Sequence, residues 1–117
     1  MLFRVDPSSP DPLFAQLADQ VRVGIVRGDL TTGTRLPSAR DLASSLDINL
    51  HTVLRAYQDL RDEGLIELRR GRGAVVSEQA ARGYAPLQQA VEHVVHLSRE
   101  LGLSPETTTA LLREALR

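Results

Sequence analysis

Hydrophobic residues recur at helical spacing in several stretches of this chain, and the breaks between them fall on glycine, proline and short polar residues. Phe14, Leu17, Ala18, Val21 and Ile25 make the first stripe, which Gly28 ends as a C-terminal cap. Leu42, Ala43 and Leu46 make the second, with Ser38 placed to cap the helix and Arg40 and Asp41 in its first turn. After a tight break at Asp47-Ile48-Asn49, the third stripe is Val53, Ala56, Tyr57 and Leu60, with Asn49 as cap and Gly64 as stop. A helix of about three turns, a three-residue turn and a second helix is the outline of a helix-turn-helix.

The pattern then changes period. Leu65–Arg69 and Ala74–Ser77 are short β-prone runs around Arg70-Gly71-Arg72-Gly73, which reads as a hairpin with a basic, glycine-rich tip. Upstream, Pro37 keeps the residue before it extended, so Arg35-Leu36-Pro37 suits a short edge strand leading into the capped helix. Helix, strand, helix-turn-helix and hairpin, in that order, make a winged helix. Beyond it, Leu87, Ala90, Val91, Val94, Leu97 and Leu101 form a helical stripe ended by Gly102. Ser104-Pro105-Glu106 then opens a last helix carrying Leu111, Leu112, Ala115 and Leu116. At the other end, Pro7, Pro10 and Pro12 with Ser8 and Ser9 read as an extended arm. The expected fold is mainly α with a small β wing. Residues 1–12 would be the arm, 13–77 a winged helix-turn-helix and 78–117 a short helical tail.

On the third stripe's helix, at about 100° per residue, the side opposite the apolar stripe holds His51, Arg55, Gln58 and Asp62. Thr52 and Asp59 lie on one flank, and Leu50 and Leu54 on the other. His51, Arg55 and Gln58 can donate hydrogen bonds to base edges or phosphates, and they project from the N-terminal half that would enter a major groove. Leu50 or Leu54 could either pack or touch a thymine methyl. An ordinary solvated helix face would carry similar residues. Asp59, Asp62 and Glu63 would keep the distal end away from phosphates.

Composition narrows the function classes. The 117 residues suit one small domain with a short appendage, with an aliphatic core, since there are two Phe, two Tyr and no Trp. With no Cys there is no disulfide, thiolate zinc site or cysteine nucleophile. The net charge of -1 argues against a protein that coats nucleic acid indiscriminately, but not against a local basic surface. All fourteen basic residues are Arg, whose planar fork suits phosphate and guanine. His93 and His96, three residues apart with Glu92 beside them, could share a metal, but no further His and no Cys is placed to complete the site, and no catalytic or phosphate-cradling arrangement is present. No metal, cofactor or enzymatic activity is expected. Without a signal peptide or long apolar run, the expectation is a soluble, cytoplasmic protein.

From Pro12 to Val76 the chain resembles the N-terminal DNA-binding domain of the GntR family of bacterial transcription regulators. The resemblance rests on Gly33, Arg35-Leu36-Pro37-Ser38, Arg40, Leu42, Ala43, Tyr57, Leu60, Gly64, Leu65 and Gly71-Arg72-Gly73. Asn49-Leu50-His51-Thr52-Val53-Leu54-Arg55-Ala56-Tyr57 is most similar to the YtrA-type branch, which shows Asn-Pro-Asn-Thr-Val-x-Arg-Ala-Tyr; Leu50 and His51 depart from it. Other members place guanine-reading arginines where Leu50 and Leu54 stand, so no operator sequence transfers. The resemblance implies that Arg40 reads a base, that Gly71–Gly73 form a minor-groove wing, and that Arg35, Ser38 and Thr52 contact phosphates. The expected DNA-binding set is Arg35, Ser38, Arg40, Asn49, His51, Thr52, Arg55, Arg69, Arg70, Gly71, Arg72 and Gly73.

The 41 residues after Val76 are too few for the larger effector domains of most GntR regulators. Two amphipathic helices need a surface to cover them, either the winged helix of the same chain or a second copy. A homodimer is expected, presenting two recognition helices to a palindrome, and the YtrA-type resemblance implies the same. The reading is a dimeric repressor that binds double-stranded operator DNA, with a small-molecule effector left open and no membrane association. The alternative is a winged-helix interaction module without DNA binding, favoured by Leu50 and Leu54.

Overall fold

The computed structural model describes residues 3–71, 73–78, 80 and 84–117. Its elements are α1 (Leu13–Val26), α2 (Ala39–Leu46), α3 (Leu50–Asp62), β1 (Ile66–Arg69), β2 (Gly73–Val76), α4 (Ala85–Glu100) and α5 (Pro105–Ala115). This is the expected winged helix-turn-helix followed by two helices. The chain falls into two compact units, Met1–Tyr84 and Ala85–Arg117.

Local chemistry sets the boundaries in the first unit. Ser38 accepts a hydrogen bond from the Asp41 N–H and opens α2, while Asn49 accepts one from the His51 N–H and opens α3. α2 spans eight residues, just over two turns, rather than the expected three. Asp47 stops it by turning left-handed, at φ 54°, and is the one non-glycine residue with positive φ among those described. A short polar side chain tolerates that conformation better than most. It allows the chain to reverse within three residues.

The stripes of α1, α2 and α3 meet in one core. Leu17, Val21, Val53 and Leu60 are essentially inaccessible, joined by Ala18, Leu42, Ala56 and Tyr57. β1 and β2 pair antiparallel, Ile66 opposite Val76 and Arg69 opposite Gly73. Ile66 and Val76 face the core. The expected edge strand appears as a bridge between Arg35 and Val75. Backbone hydrogen bonds of 2.9 Å from Gly33 to Val76, Val76 to Thr34 and Leu36 to Ala74 extend it. β2 is therefore covered on both edges, and the wing is tied to the entrance of α2. Ser77, buried at the foot of the hairpin, has both its hydroxyl and its N–H paired, to Gly64 and Leu65 respectively.

The N-terminal segment is non-helical, as expected of an extended arm, and it packs onto α1. Phe3 is buried in the core, Val5 packs against it, and residues 4–11 are held by two glutamines one turn apart on α1. Gln20 accepts from the Arg4 N–H at 2.9 Å and donates to the Arg4 carbonyl. Gln16 does the same for Asp6 at 2.8 and 3.0 Å and also donates to the Asp11 carbonyl. The prolines do keep the segment non-helical. They do not keep it off the domain, because the amide ladder satisfies its backbone while Phe3 is withdrawn from water.

The second unit is built differently. Ser104 caps α5 by accepting from the Thr107 N–H, and Pro105 occupies its first position. Ser98 of α4 and Thr108 of α5 share a hydrogen bond at 2.5 Å. Neither helix has a buried residue.

Candidate nucleic-acid interface

The outer face of α3, the entrance of α2 and the wing border two adjoining hollows. One, of about 560 Å³, is bordered by Ser38, Leu54, Gln58, Leu68, Arg69 and Arg70 among others. The second, of about 500 Å³, is bordered by Arg35, Pro37, Ser38, Asp41, Gly71 and Gly73 among others. Ser38 and Gly73 belong to both. Helix-turn-helix and hairpin thus present one continuous concave surface. Tyr57, which also lines the first hollow, donates its hydroxyl to the Pro37 carbonyl at 2.6 Å and ties α3 to the entrance of α2. Burial pushes this phenol's pKa well above the ordinary tyrosine value, so it remains a donor in neutral solution.

Arg35, Ser38, Arg69, Arg70, Gly71 and Gly73 all line these hollows. Arg40, Asn49 and His51 are exposed, Arg40 in the first turn of α2 and the other two at the start of α3; Thr52 is half-buried in that same turn. Arg40 and Arg70 have no ion-pair partner among the described residues, which leaves their guanidinium groups available to an anion. Arg69 is paired with Glu67 on its own strand, at 2.6 and 2.8 Å. A phosphate would have to compete with that carboxylate, although both side chains are about half exposed and the pair is weak in water. Arg72 lies outside the described residues. Gly71 and Gly73 have φ of +81° and +69°, a left-handed backbone that admits glycine without strain, and a β-carbon at either would meet open space. The glycines are thus required by the shape of the turn, and the room around them leaves the tip free to approach another surface.

Arg55 does not join this set. Its guanidinium carbon lies 3.7 Å from the centre of the Phe14 ring on α1, a cation–π contact that turns it toward the α1 side of the recognition helix. Nor does Leu50 face outward freely, since it packs against the core. Sequence reasoning left Leu54, Gln58 and Leu68 out of the binding set, and all three line the larger hollow. Leu68 is 45% exposed, between Glu67 and Arg69 on β1. The alternation of side chains along a strand carries that signal, but only the observed register shows which face meets α3. At the far end of α3, Glu63 is paired with Arg22 of α1 at 2.6 Å, so this acid clamps two helices as well as carrying negative charge.

The profile of bacterial regulatory proteins, gntR family, matches residues 13–76. The chain is 40% identical over 101 residues to the HTH-type transcriptional regulator Rv1152 of Mycobacterium tuberculosis, covering 86% of this chain and 83% of that protein. It is 39% identical over 79 residues to the HTH-type transcriptional repressor YtrA of Bacillus subtilis, covering 68% of this chain and 61% of the repressor. Among solved structures, YtrA from Sulfolobus acidocaldarius, a GntR-family transcription factor, superposes with a TM-score of 0.60 at 35% identity, over 81% of this chain and 97% of that one. The DNA-binding domain of AraR in complex with operator ORX1 superposes with a TM-score of 0.55 at 27% identity, over 65% of this chain and 93% of that one.

Proposed function

We propose that this chain, which belongs to the gntR family of bacterial regulatory proteins, works as a dimeric repressor that occludes a promoter by binding a palindromic operator. It is a sequence-specific DNA-binding transcription regulator with a winged helix-turn-helix. The DNA-binding geometry of this reading rests on one observation: the middle of α3, the entrance of α2 and the arginine-bearing wing line two adjoining hollows. In this account α3 enters a major groove. His51 and Arg40 reach base edges, Arg35, Ser38 and Thr52 hold phosphates of the flanking strand, and Arg69 to Gly73 follow the backbone toward the minor groove. Asn49 sets the angle of α3 by capping it, and Arg55 supports α3 from the α1 side.

The dimer rests on the second unit. Leu101 is 71% exposed and Leu116 84% exposed, and Leu87, Val91, Leu111 and Leu112 are also open to water. On α4 the apolar positions cluster on one side, so a second copy could bury them together. No described helix is long and apolar enough to cross a membrane, and we place the protein in the cytoplasm with its DNA.

Binding to the duplex upstream of its own gene, against a scrambled duplex at two salt concentrations, tests the reading. Tighter binding to the native duplex that weakens steeply with salt is the expected result. No binding to either duplex at low salt would refute it.

A further inference from the structure

The face of α3 that borders the larger hollow holds one residue whose chemistry the DNA-binding account leaves unused. Leu54 is half-buried. It stands apart from the core cluster that takes in its neighbour Leu50, and it lines the hollow together with Gln58, Leu68 and Arg70. His51, Leu54 and Gln58 fall at i, i+3 and i+7, one line along the exposed side of the helix. Arg55, the adjacent cation, is drawn toward Phe14 and leaves this line to the other three. We infer that Leu54 is a specificity-determining residue that packs against the C5-methyl group of a thymine in the operator half-site.

The inference rests on the DNA-binding reading and deepens it. Of the groups that base pairs show in the major groove, the thymine methyl alone is apolar, and a leucine has no hydrogen bond to offer the others. Against a thymine, the exposed part of Leu54 and the methyl leave water together. Opposite guanine, adenine or cytosine, the same side chain would strip water from a donor or acceptor and return nothing. One apolar residue in a polar line therefore selects for thymine and against the other bases at a single position. The polar neighbours His51 and Gln58 read on either side.

The test begins with selection of duplexes from a random pool by the full-length protein. Each thymine of the selected motif is then replaced in turn by uracil, which removes only the methyl. One position per half-site should weaken binding by about fourfold, as expected for a single buried methyl group. At that position Leu54→Ala should bind the thymine and uracil duplexes equally, while Val23→Ala, at an exposed apolar position on α1 away from both hollows, keeps the parental preference; thermal melts check that both variants fold. Silent uracil at every position, or an undiminished preference in Leu54→Ala, overturns the inference and leaves DNA binding intact. Failure to enrich any duplex overturns both together.

Discussion

The two units of this chain handle their apolar residues in opposite ways. In the first, three helices, a hairpin and the N-terminal segment close around Leu17, Val21, Val53 and Leu60, none of which is more than 1% exposed. In the second, two amphipathic helices leave every leucine and valine at least partly in water. Helix formation is thus locally specified, through Pro86 in the first turn of α4 and Ser104 and Pro105 at the start of α5, without the burial that normally stabilises short helices. The first unit has what it needs to fold alone. The second leaves its apolar stripe open to water, and that stripe is where we propose the dimer contact.

The largest way to sharpen that contrast is Leu60→Ala. Removing a fully buried leucine side chain should cost about 3 kcal/mol, and a thermal or urea melt should show the winged helix strongly destabilised. Leu101→Ala, in the exposed stripe, should leave the melting of the first unit unchanged while weakening self-association. Next comes the double change Leu111→Glu with Leu112→Glu. Sedimentation should show monomers, with the winged helix still folded by far-UV circular dichroism. A dimer that survives both glutamates would move the interface elsewhere, helix α1 being the first place to look.

Tyr57→Phe should cost about 1 kcal/mol, since it removes the hydrogen bond to Pro37 and leaves that carbonyl unpaired. Its pH dependence has a definite sign. The folded pKa is raised, so the phenol's contribution is complete below the unfolded value of about 10. It is lost as pH climbs from there toward the folded pKa. Stability measured between neutral and strongly alkaline pH should fall more steeply in the parent than in Tyr57→Phe. The smallest expected effect is Arg55→Ala, about 0.5 kcal/mol of stability from the lost contact with Phe14. A variant that keeps full stability and loses sequence discrimination would return Arg55 to the groove.

The elements were legible because their signals are local. Ser38, Asn49 and Ser104 cap the helices expected of them, and the change from helical to strand period marks the hairpin. What the sequence could not show depends on contacts between distant residues. Nothing in the proline-rich start announces that Phe3 will enter the core, or that Gln16 and Gln20 will grip the backbone there. A helical wheel places Arg55 beside His51 on the outward side, but it cannot see Phe14 arriving from α1 to hold the guanidinium. α2 ends at the expected break, yet it falls short of three turns because only eight helical residues fit between the Ser38 cap and the left-handed Asp47. Leu54 was visible on a flank; its separation from the core, and the hollow it lines with the wing, are tertiary facts.

The most direct measurement compares the full chain with a protein ending at Tyr84, each titrated onto one palindromic duplex obtained by selection. If the tail pairs two winged helices, the full chain should bind as two copies in one steep transition. The shortened protein should bind each half-site separately and far more weakly, because the effective concentration of the second copy is gone. Equal affinity and equal steepness for the two proteins would contradict the account.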